Sequence, residues 1–488
     1  MLGSSWRRVR ACGGRERPDV RSGGGYVGRR VLVVGLDSAP PRLVFDVFRR
    51  EMPTLAGLLE RGAHGRLLST NPPITVPAWT AMMASRDPGQ LGCYGFRNRK
   101  DHSYDGYAFA NSTHVTAPRS WDLLGASGKR SIVLGVPQTY PPRPIVGDMV
   151  TCFLTPSTKA TYTYPASLKA EVEAASGGYV LDVDDFRTAD KHALLERVYA
   201  KTRKHWAVAR HLAKTHPWDF FMLVEMGLDR LHHGFWSSMD PEHHKYEPGN
   251  PFETAIRDYY RHLDGELAAL LELVPRDTIV LVVSDHGSKR MDGGICFNEW
   301  LIRESYLTLR NPPSAPTPIG QVAIDWSRTR AWGDGGYYGR CFMNVKGREP
   351  EGLVEPGDYE RVRDELIAGI AAITDHRGRP LGSRAFRPQE IYREVRGVAP
   401  DLIVYFGDLA WRSVGAVGMG GIHTFENDTG PDEANHDWFG VFVLAALDGA
   451  SPLRGDLGDL SIYDVAPTIL RLFGETVPAD MIGASLVA

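Results

Sequence analysis

Cysteine is scarce in this chain: 5 among 488 residues, at Cys12, Cys93, Cys152, Cys296 and Cys341, odd in number, widely spaced and without a CxxC pair. This excludes a disulfide framework and a thiolate zinc site, and fits a reducing compartment. Long apolar runs are missing too. Nothing approaches the ~20 apolar residues that a membrane span needs, and no apolar stretch of roughly 7–15 residues follows the arginine- and glycine-rich residues 1–29, as a secretory leader would require. Those residues read as a disordered tail. Neither sign of charge dominates, with 56 Lys and Arg against 59 Asp and Glu, a formal net of -3. No global field therefore draws in nucleic acid or an anionic membrane, and neither is expected as a partner. There is no repeat of fixed period and no long low-complexity segment beyond the tail, which removes solenoid and array readings. A soluble, cytoplasmic protein is expected.

What is present is a rhythm. From residue 30 onward, short β-branched runs alternate with longer helical segments, the pattern of an α/β fold whose central, mostly parallel sheet lies between helices. Strands are expected over 30–36, 131–135, 219–226, 278–284, 402–406 and 439–445, and helices over 42–61, 77–85, 119–127, 190–215, 253–273, 358–373 and 463–473. The stretch 297–400 breaks the rhythm with a proline-rich piece and the glycine- and aromatic-rich run Trp332–Gly339. It reads as a smaller inserted subdomain, which leaves 30–296 and 401–488 as the main domain.

Three apolar runs end in a carboxylate: VLVVGL before Asp37, DFFMLVEMGL before Asp229, and TIVLVVS before Asp285. In open α/β sheets the ligand site lies beyond the carboxyl ends of the strands, where these three residues fall. His233 follows Asp229 by four positions, so both face one side if the chain turns helical there and can reach one ion. His436 offers a third ligand for that ion, with His423 competing for the same role. Asp285 and His286 are adjacent, and Gly287 lets the chain turn so that both reach a second ion, with Asp37 completing the set. Oxygen and nitrogen ligands without sulfur suit zinc best, with manganese or iron as alternatives. Two divalent ions bring +4 and three carboxylates return -3, a net positive centre suited to a phosphate and an ionised alcohol. Thr75, in Pro72-Pro73-Ile74-Thr75-Val76-Pro77, supplies that alcohol, because a bound divalent metal lowers the pKa of a coordinated hydroxyl. Pro77 in the first turn would open a helix whose N-terminal amides face the phosphate.

The order Asp37, Thr75-x-Pro77, Asp229-x-x-x-His233, Ser284-Asp285-His286-Gly287, His436 resembles the type I phosphodiesterase/nucleotide pyrophosphatase family of the alkaline phosphatase superfamily, and Asp464-x-x-Pro467-Thr468 with Gly483 extends the likeness. The resemblance implies a two-zinc site with Thr75 as transient phosphoryl acceptor. One ion would be held by Asp229, His233 and His436 and the other by Asp37, Asp285 and His286, with Thr75 bridging toward the phosphate. The chain departs from the family pattern in three ways. Where nucleotide-cleaving members have Thr-Gly after the nucleophile helix, this chain has Ala84-Ser85. Where they have a phosphate-binding asparagine it has Phe96, with Asn98 close by. The aromatic slot for a nucleobase is not identifiable. Sulfatase-type relatives use Cys or Ser in a Cys/Ser-x-Pro-x-Arg setting, which is absent.

Taken singly, each residue has an ordinary explanation, as an N-cap, a turn residue or a residue before proline. It is their order that carries the metal reading. His232 reads as a packing or supporting residue and His243-His244 as a solvated loop. Arg340 and Lys346 are candidate anion contacts or surface charges, and Trp332–Gly339 is either a substrate-facing lid or a turn. The expected activity is hydrolysis of a small phosphoric ester, a diester foremost. The alternatives are a phosphomonoesterase or cofactor-independent phosphomutase, for which Arg97, Arg99 and Lys100 would meet the extra phosphate oxygens, and a noncatalytic metal-binding protein.

Overall fold

The structure is a computed structural model that describes residues 28–488; the tail expected over 1–29 lies almost wholly outside the described residues. Its largest element is a nine-stranded sheet. In chain order its strands are β1 (Val31–Leu36), β2 (Ala63–Leu68), β3 (Ser131–Leu134), β4 (Gly147–Val150), β5 (Thr163–Tyr164), β6 (Phe220–Glu225), β7 (Ile279–Val283), β8 (Phe439–Ala446) and β9 (Gly455–Ser461). In space they run β9-β2-β8-β7-β1-β6-β3-β4-β5. The pairs β7-β1, β1-β6, β6-β3, β3-β4 and β2-β9 are parallel, while β8 runs antiparallel to both β2 and β7. The fold is thus α/β with a mostly parallel central sheet between helices, as expected.

The apolar runs form strands because both faces of the sheet are dry, so each residue of β1, β6 and β7 finds a buried partner whichever way it points. Leu32, Val34, Phe221, Leu223, Val280 and Val282 join one buried cluster. Their neighbours Val31, Val33, Phe220, Met222, Leu281 and Val283 join the cluster on the opposite face. Of the two clusters, the first is closed by helix Lys191–Thr215, which contributes Leu194, Val198, Trp206, Val208 and Leu212.

The helix expected over 42–61 breaks into a π turn at Arg42–Val47, a 3-10 turn at Arg49–Glu51 and an α-helix at Pro53–Arg61. Pro53 has no N–H to donate back into a preceding turn and is favoured at the start of a new helix. The strand expected over 402–406 forms at Leu402–Tyr405, but it does not join the large sheet. It pairs antiparallel with Gly339–Met343 and Arg384–Phe386 in a four-stranded sheet completed by Ala331–Asp334. This smaller sheet therefore draws on residues beyond 400. It shares a separate buried cluster with helices Phe297–Arg303 and Tyr359–Ala371, built on Phe297, Trp300, Phe342, Leu366 and Ile370.

Candidate active site

Register brings the carboxylates together. Gly35 of β1 is paired with Val283 of β7, so Asp37 and Asp285 each stand two residues past the same level on adjacent strands. On the other side of β1, Leu36 pairs with Glu225, after which the chain enters helix α1 (Gly227–Met239) and displays Asp229 and His233 one turn apart. A short antiparallel ribbon does the rest: Gly287–Arg290 pairs with Ala434–Asp437, with Ser288 opposite His436. The His286 and His436 rings then stack at 3.8 Å.

The distances are those of a shared centre. Asp229 Oδ1 is 3.3 Å from His233 Nε2 and 3.9 Å from His436 Nε2. His286 Nε2 is 3.3 Å from Asp285 Oδ2 and 3.6 Å from Asp37 Oδ1. Thr75 Oγ1 lies 3.3 Å from the same His286 nitrogen. Two groups of ligand atoms gather within 4.8 Å, Asp229 with His233 and His436, and Asp37 with Asp229 and His286. Asp229 thus belongs to both, and Asp285 borders the second through His286.

Each of the six side chains has one heteroatom held by the scaffold. Trp79 Nε1 donates to Asp37 Oδ2 at 2.6 Å, Arg230 Nη1 to Asp229 Oδ2 at 2.7 Å, and the Ser38 amide to Asp285 Oδ1 at 3.3 Å. Nδ1 of His286 faces the Gly287 carbonyl at 2.9 Å, that of His436 the Pro73 carbonyl at 2.8 Å, and that of His233 faces Asp432 at 2.7 Å and the Ala434 carbonyl at 3.1 Å. A carbonyl can only accept, so Nδ1 carries a proton in all three rings and Nε2 is the nitrogen that points inward, with a free lone pair when the ring is neutral. The remaining atoms, Asp37 Oδ1, Asp229 Oδ1, Asp285 Oδ2, His233 Nε2 and His436 Nε2, are buried without a hydrogen-bond partner. Buried polar atoms are rarely left so. Six of them pointing at one place, counting His286 Nε2 with its single long contact to Thr75, form a donor set that fits divalent cations with oxygen and nitrogen preference.

Charge at the centre is unbalanced accordingly. Burial lifts the Asp37 carboxyl well above its ordinary range, aided by Asp229, and lifts Asp285 likewise, aided by Asp37. Burial pushes His286 down to about 4 and His436 well below its usual value. Against burial, His233, Arg230 and His436 hold Asp229 low, while Asp432, Tyr337 and Asp229 lift His233. Only added positive charge lets all three carboxylates ionise together.

Thr75 is the first residue of helix Thr75–Ala84, and Ile74 before it provides no side-chain cap. The first-turn amides are therefore not claimed by a capping side chain, and the positive end of the helix dipole lies at Thr75, beside His286. The helix also sets Trp79 one turn beyond Thr75, on the same face. Gly35 makes room for that indole: a Cβ at this position would lie 2.5 Å from Trp79 Cη2.

The other candidate residues lie outside this set. His423 bonds the Thr374 carbonyl and sits in the smaller three-stranded sheet beside Trp411, away from the cluster. His243 is buried and contacts the Glu433 carbonyl, because it braces the loop after helix α1 rather than facing water. Asn98 spends both ends of its amide closing its own turn, accepting from the Tyr94 amide and donating to the Gly95 carbonyl. Arg99 is buried against Glu349 and lies over Trp332 and Phe342. Arg340 is buried on Asp334, and Lys346 pairs with Glu355 at the surface. His232 supports from behind, with Nδ1 on Ser288 Oγ and Nε2 near the Tyr260 hydroxyl.

Several contributors carry no local signal in the sequence. Tyr337 is far from the ligands along the chain, Asp432 lies close to His436 but 199 residues from the His233 it holds, and Ser38, at φ 70, holds a left-handed turn that aims its amide at Asp285. Trp79 had a usable signal in its spacing from Thr75.

A mostly parallel sheet between helices, with carboxylates and imidazoles clustered at its carboxyl edge beside a helix-opening threonine, is an alkaline-phosphatase-like fold. Residues 31–432 match the type I phosphodiesterase / nucleotide pyrophosphatase family; the chain belongs to it, and is thereby a hydrolase of phosphoric ester bonds. Human ectonucleotide pyrophosphatase / phosphodiesterase 5 has the same fold, with a TM-score of 0.56, 12% identity, and coverage of 93% of this chain and 97% of that one. Its murine counterpart scores 0.51 at 12% identity, covering 92% and 96%. An inactive threonine-to-alanine form of the murine protein in complex with AMP scores 0.52 at the same identity, also covering 92% and 96%. No curated protein sequence matches this chain. His436 lies beyond the matched residues, so its position beside Asp229 rests on the structure.

Proposed function

We propose that this protein is a phosphodiesterase that acts through transient phosphorylation of Thr75 at a site for two divalent ions, zinc fitting the donor set best. The observation that carries the reading is the convergence of six buried ligand atoms, five of them without a partner, beside a helix-opening threonine. Asp229, His233 and His436 would hold one ion and Asp37, Asp285 and His286 the other, with Asp229 near enough to touch both. When bound, such ions supply Lewis-acid charge at the phosphoryl oxygens and lower the pKa of a coordinated hydroxyl.

The chain's own groups do the positioning. Thr75 Oγ1 attacks phosphorus, the P–O bond to the leaving alcohol breaks, and that alcohol takes up the proton the threonine has lost. Water then attacks the phosphothreonine, returning a proton to Oγ1 and releasing the monoester. The amides that open the Thr75 helix would receive the phosphoryl oxygens, since that helix end lacks a side-chain cap.

Charge favours a diester over a monoester. The guanidinium groups around the centre are already matched by carboxylates, Arg230 by Asp182 and Asp229, and Arg187 and Arg412 by Asp432. Arg99, a candidate for the extra charge of a monoester, is spent on Glu349. A small phosphate ester as substrate is also supported by the murine relative's complex with AMP.

The test is turnover of zinc-loaded protein on a chromogenic diester against the matching monoester, with a chelator-stripped control. The diester is expected to turn over faster, only with metal, and Thr75→Ala is expected to lose more than about a thousandfold in kcat, as nucleophile removal does elsewhere. Undiminished turnover by that variant would overturn the covalent route.

A further inference from the structure

The two groups of ligand atoms share Asp229 but are steadied by different parts of the chain. Asp37, Asp285 and His286 lean on Trp79 of the helix that Thr75 opens, on the Ser38 amide just past β1, and on the Gly287 carbonyl where the ribbon to Ala434–Asp437 begins. His233 and His436 lean partly on Tyr337, which belongs to the turn between strands Ala331–Asp334 and Gly339–Met343 of the smaller sheet.

The Tyr337 ring lies on both imidazoles, 4.0 Å and 24° from His436 and 4.8 Å and 22° from His233. Arg187 Nη2 donates to its hydroxyl at 2.6 Å, and the Arg412 guanidinium stands over its ring at 4.7 Å. Both arginines also bind Asp432 Oδ2, at 3.2 and 2.8 Å, while Asp432 Oδ1 accepts from His233. The turn itself is anchored, because Gly336 and Ser413 exchange backbone hydrogen bonds at 2.8 and 3.0 Å and Asn435 donates to the Tyr337 carbonyl at 3.1 Å.

A metal–nitrogen bond lies in the plane of its imidazole, so the tilt of the ring decides where the lone pair points. A hydrogen bond at Nδ1 alone leaves the ring free to swing about that bond. A face-on aromatic plate removes the swing. From this geometry we propose that Tyr337 is a positioning residue for one ion of the pair: it fixes the planes of His233 and His436, so that the smaller sheet controls affinity chiefly at the Asp229/His233/His436 group and reaches the other group only indirectly, through the shared Asp229 and the stack of His286 on His436. The inference rests on the two-ion reading above.

The experiment is titration of chelator-stripped protein with Co2+, following the visible absorption bands and competition with a chromogenic chelator. The unsubstituted protein is expected to take two equivalents. Tyr337→Ala is expected to weaken one equivalent by at least about tenfold, the usual effect of losing a group that supports a metal ligand, and to weaken the other clearly less. Tyr337→Phe keeps the plate while losing the bond to Arg187, and is expected to retain both equivalents and the wild-type bands. Two undiminished equivalents in Tyr337→Ala, or equal weakening of both, would overturn the proposal. Fewer than two equivalents in the unsubstituted protein would instead remove the two-ion reading, and this inference with it. If circular dichroism shows Tyr337→Ala unfolded, Tyr337→Leu replaces it, with selective weakening against Phe expected and unchanged binding contrary.

Discussion

Two residues at the centre show how narrow the tolerances are. Gly35 is not at a turn; it sits within β1, where the Trp79 indole and Val224 occupy the space a side chain would need. Gly35→Ala would put its Cβ 2.5 Å from the indole and 2.9 Å from Val224 Cγ2. Overpacking of this kind costs about 1–3 kcal/mol. Because the indole also carries the bond to Asp37, the variant is expected to melt lower and to lose catalytic rate together, which thermal denaturation and kinetics on one preparation would show. At this scale the sequence was informative wherever a residue ended an apolar run, as Asp37, Asp229 and Asp285 do. It left His436 and His423 as rivals because the ribbon that pairs Ser288 with His436 joins segments with no shared local pattern. Asp432 and Tyr337 had no legible role for the same reason, since their partners are fixed by tertiary contact alone.

Among elements, helix Lys191–Thr215 does more than cover the sheet. Its Lys201 reaches Glu225 at the end of β6 at 2.8 Å, both fully buried, and Glu225 in turn accepts from the Gly227 amide at 2.6 Å, where helix α1 begins. Lys201→Met would leave that carboxylate uncompensated in a dry environment, at a cost of about 3–5 kcal/mol. The denaturation midpoint is expected to fall accordingly, and metal affinity with it, since α1 carries Asp229 and His233. At its other end the same helix is capped by His216, which contacts Asp148 on β4 at 2.9 Å and Glu171 on helix Leu168–Ser176 at 3.1 Å. Burial opposes protonation of His216, but Asp148 and Glu171 outweigh it and raise the pKa above its ordinary 6.5. A raised folded value means the contribution is complete below pH 6.5 and is lost as the pH rises through the folded pKa. Stability is therefore expected to decline above pH 6.5, with a shallower decline in His216→Gln, measured by urea unfolding at several pH values. The long elements were readable in advance for a physical reason: strands buried on both faces must be apolar throughout, and this helix has its own cap in Asp190. The short strands Gly147–Val150 and Thr163–Tyr164 toward one edge of the sheet and the helix Phe297–Arg303 were not, because too few residues carry any period.

For the molecule as a whole, three carboxylates sit fully buried at one point, Asp37, Asp229 and Asp285. Cations that bind only the folded chain stabilise it by mass action, about 2.7 kcal/mol for an ion at one hundred times its Kd. Chelation is expected to lower the melting temperature by several degrees, and restored zinc to raise it again, as calorimetry would show. Among the described residues no helix is long and apolar enough to cross a membrane. The overall architecture followed from the alternation of apolar and helical segments, whereas the membership of Leu402–Tyr405 in the smaller sheet did not, because an apolar run says that a strand is buried and not which sheet buries it.

The position of β8 has a consequence for biosynthesis. It is the strand that enters between β2 and β7, pairing with each, and it follows His436 by only a few residues. Until that segment leaves the ribosome, both of its future neighbours present bare peptide edges of the kind that recruit other chains, and the centre lacks its last imidazole. A nascent chain is thus inert and adhesive over most of its translation: insertion of β8 supplies the imidazole and closes the gap, and β9, made next, covers the far edge of β2.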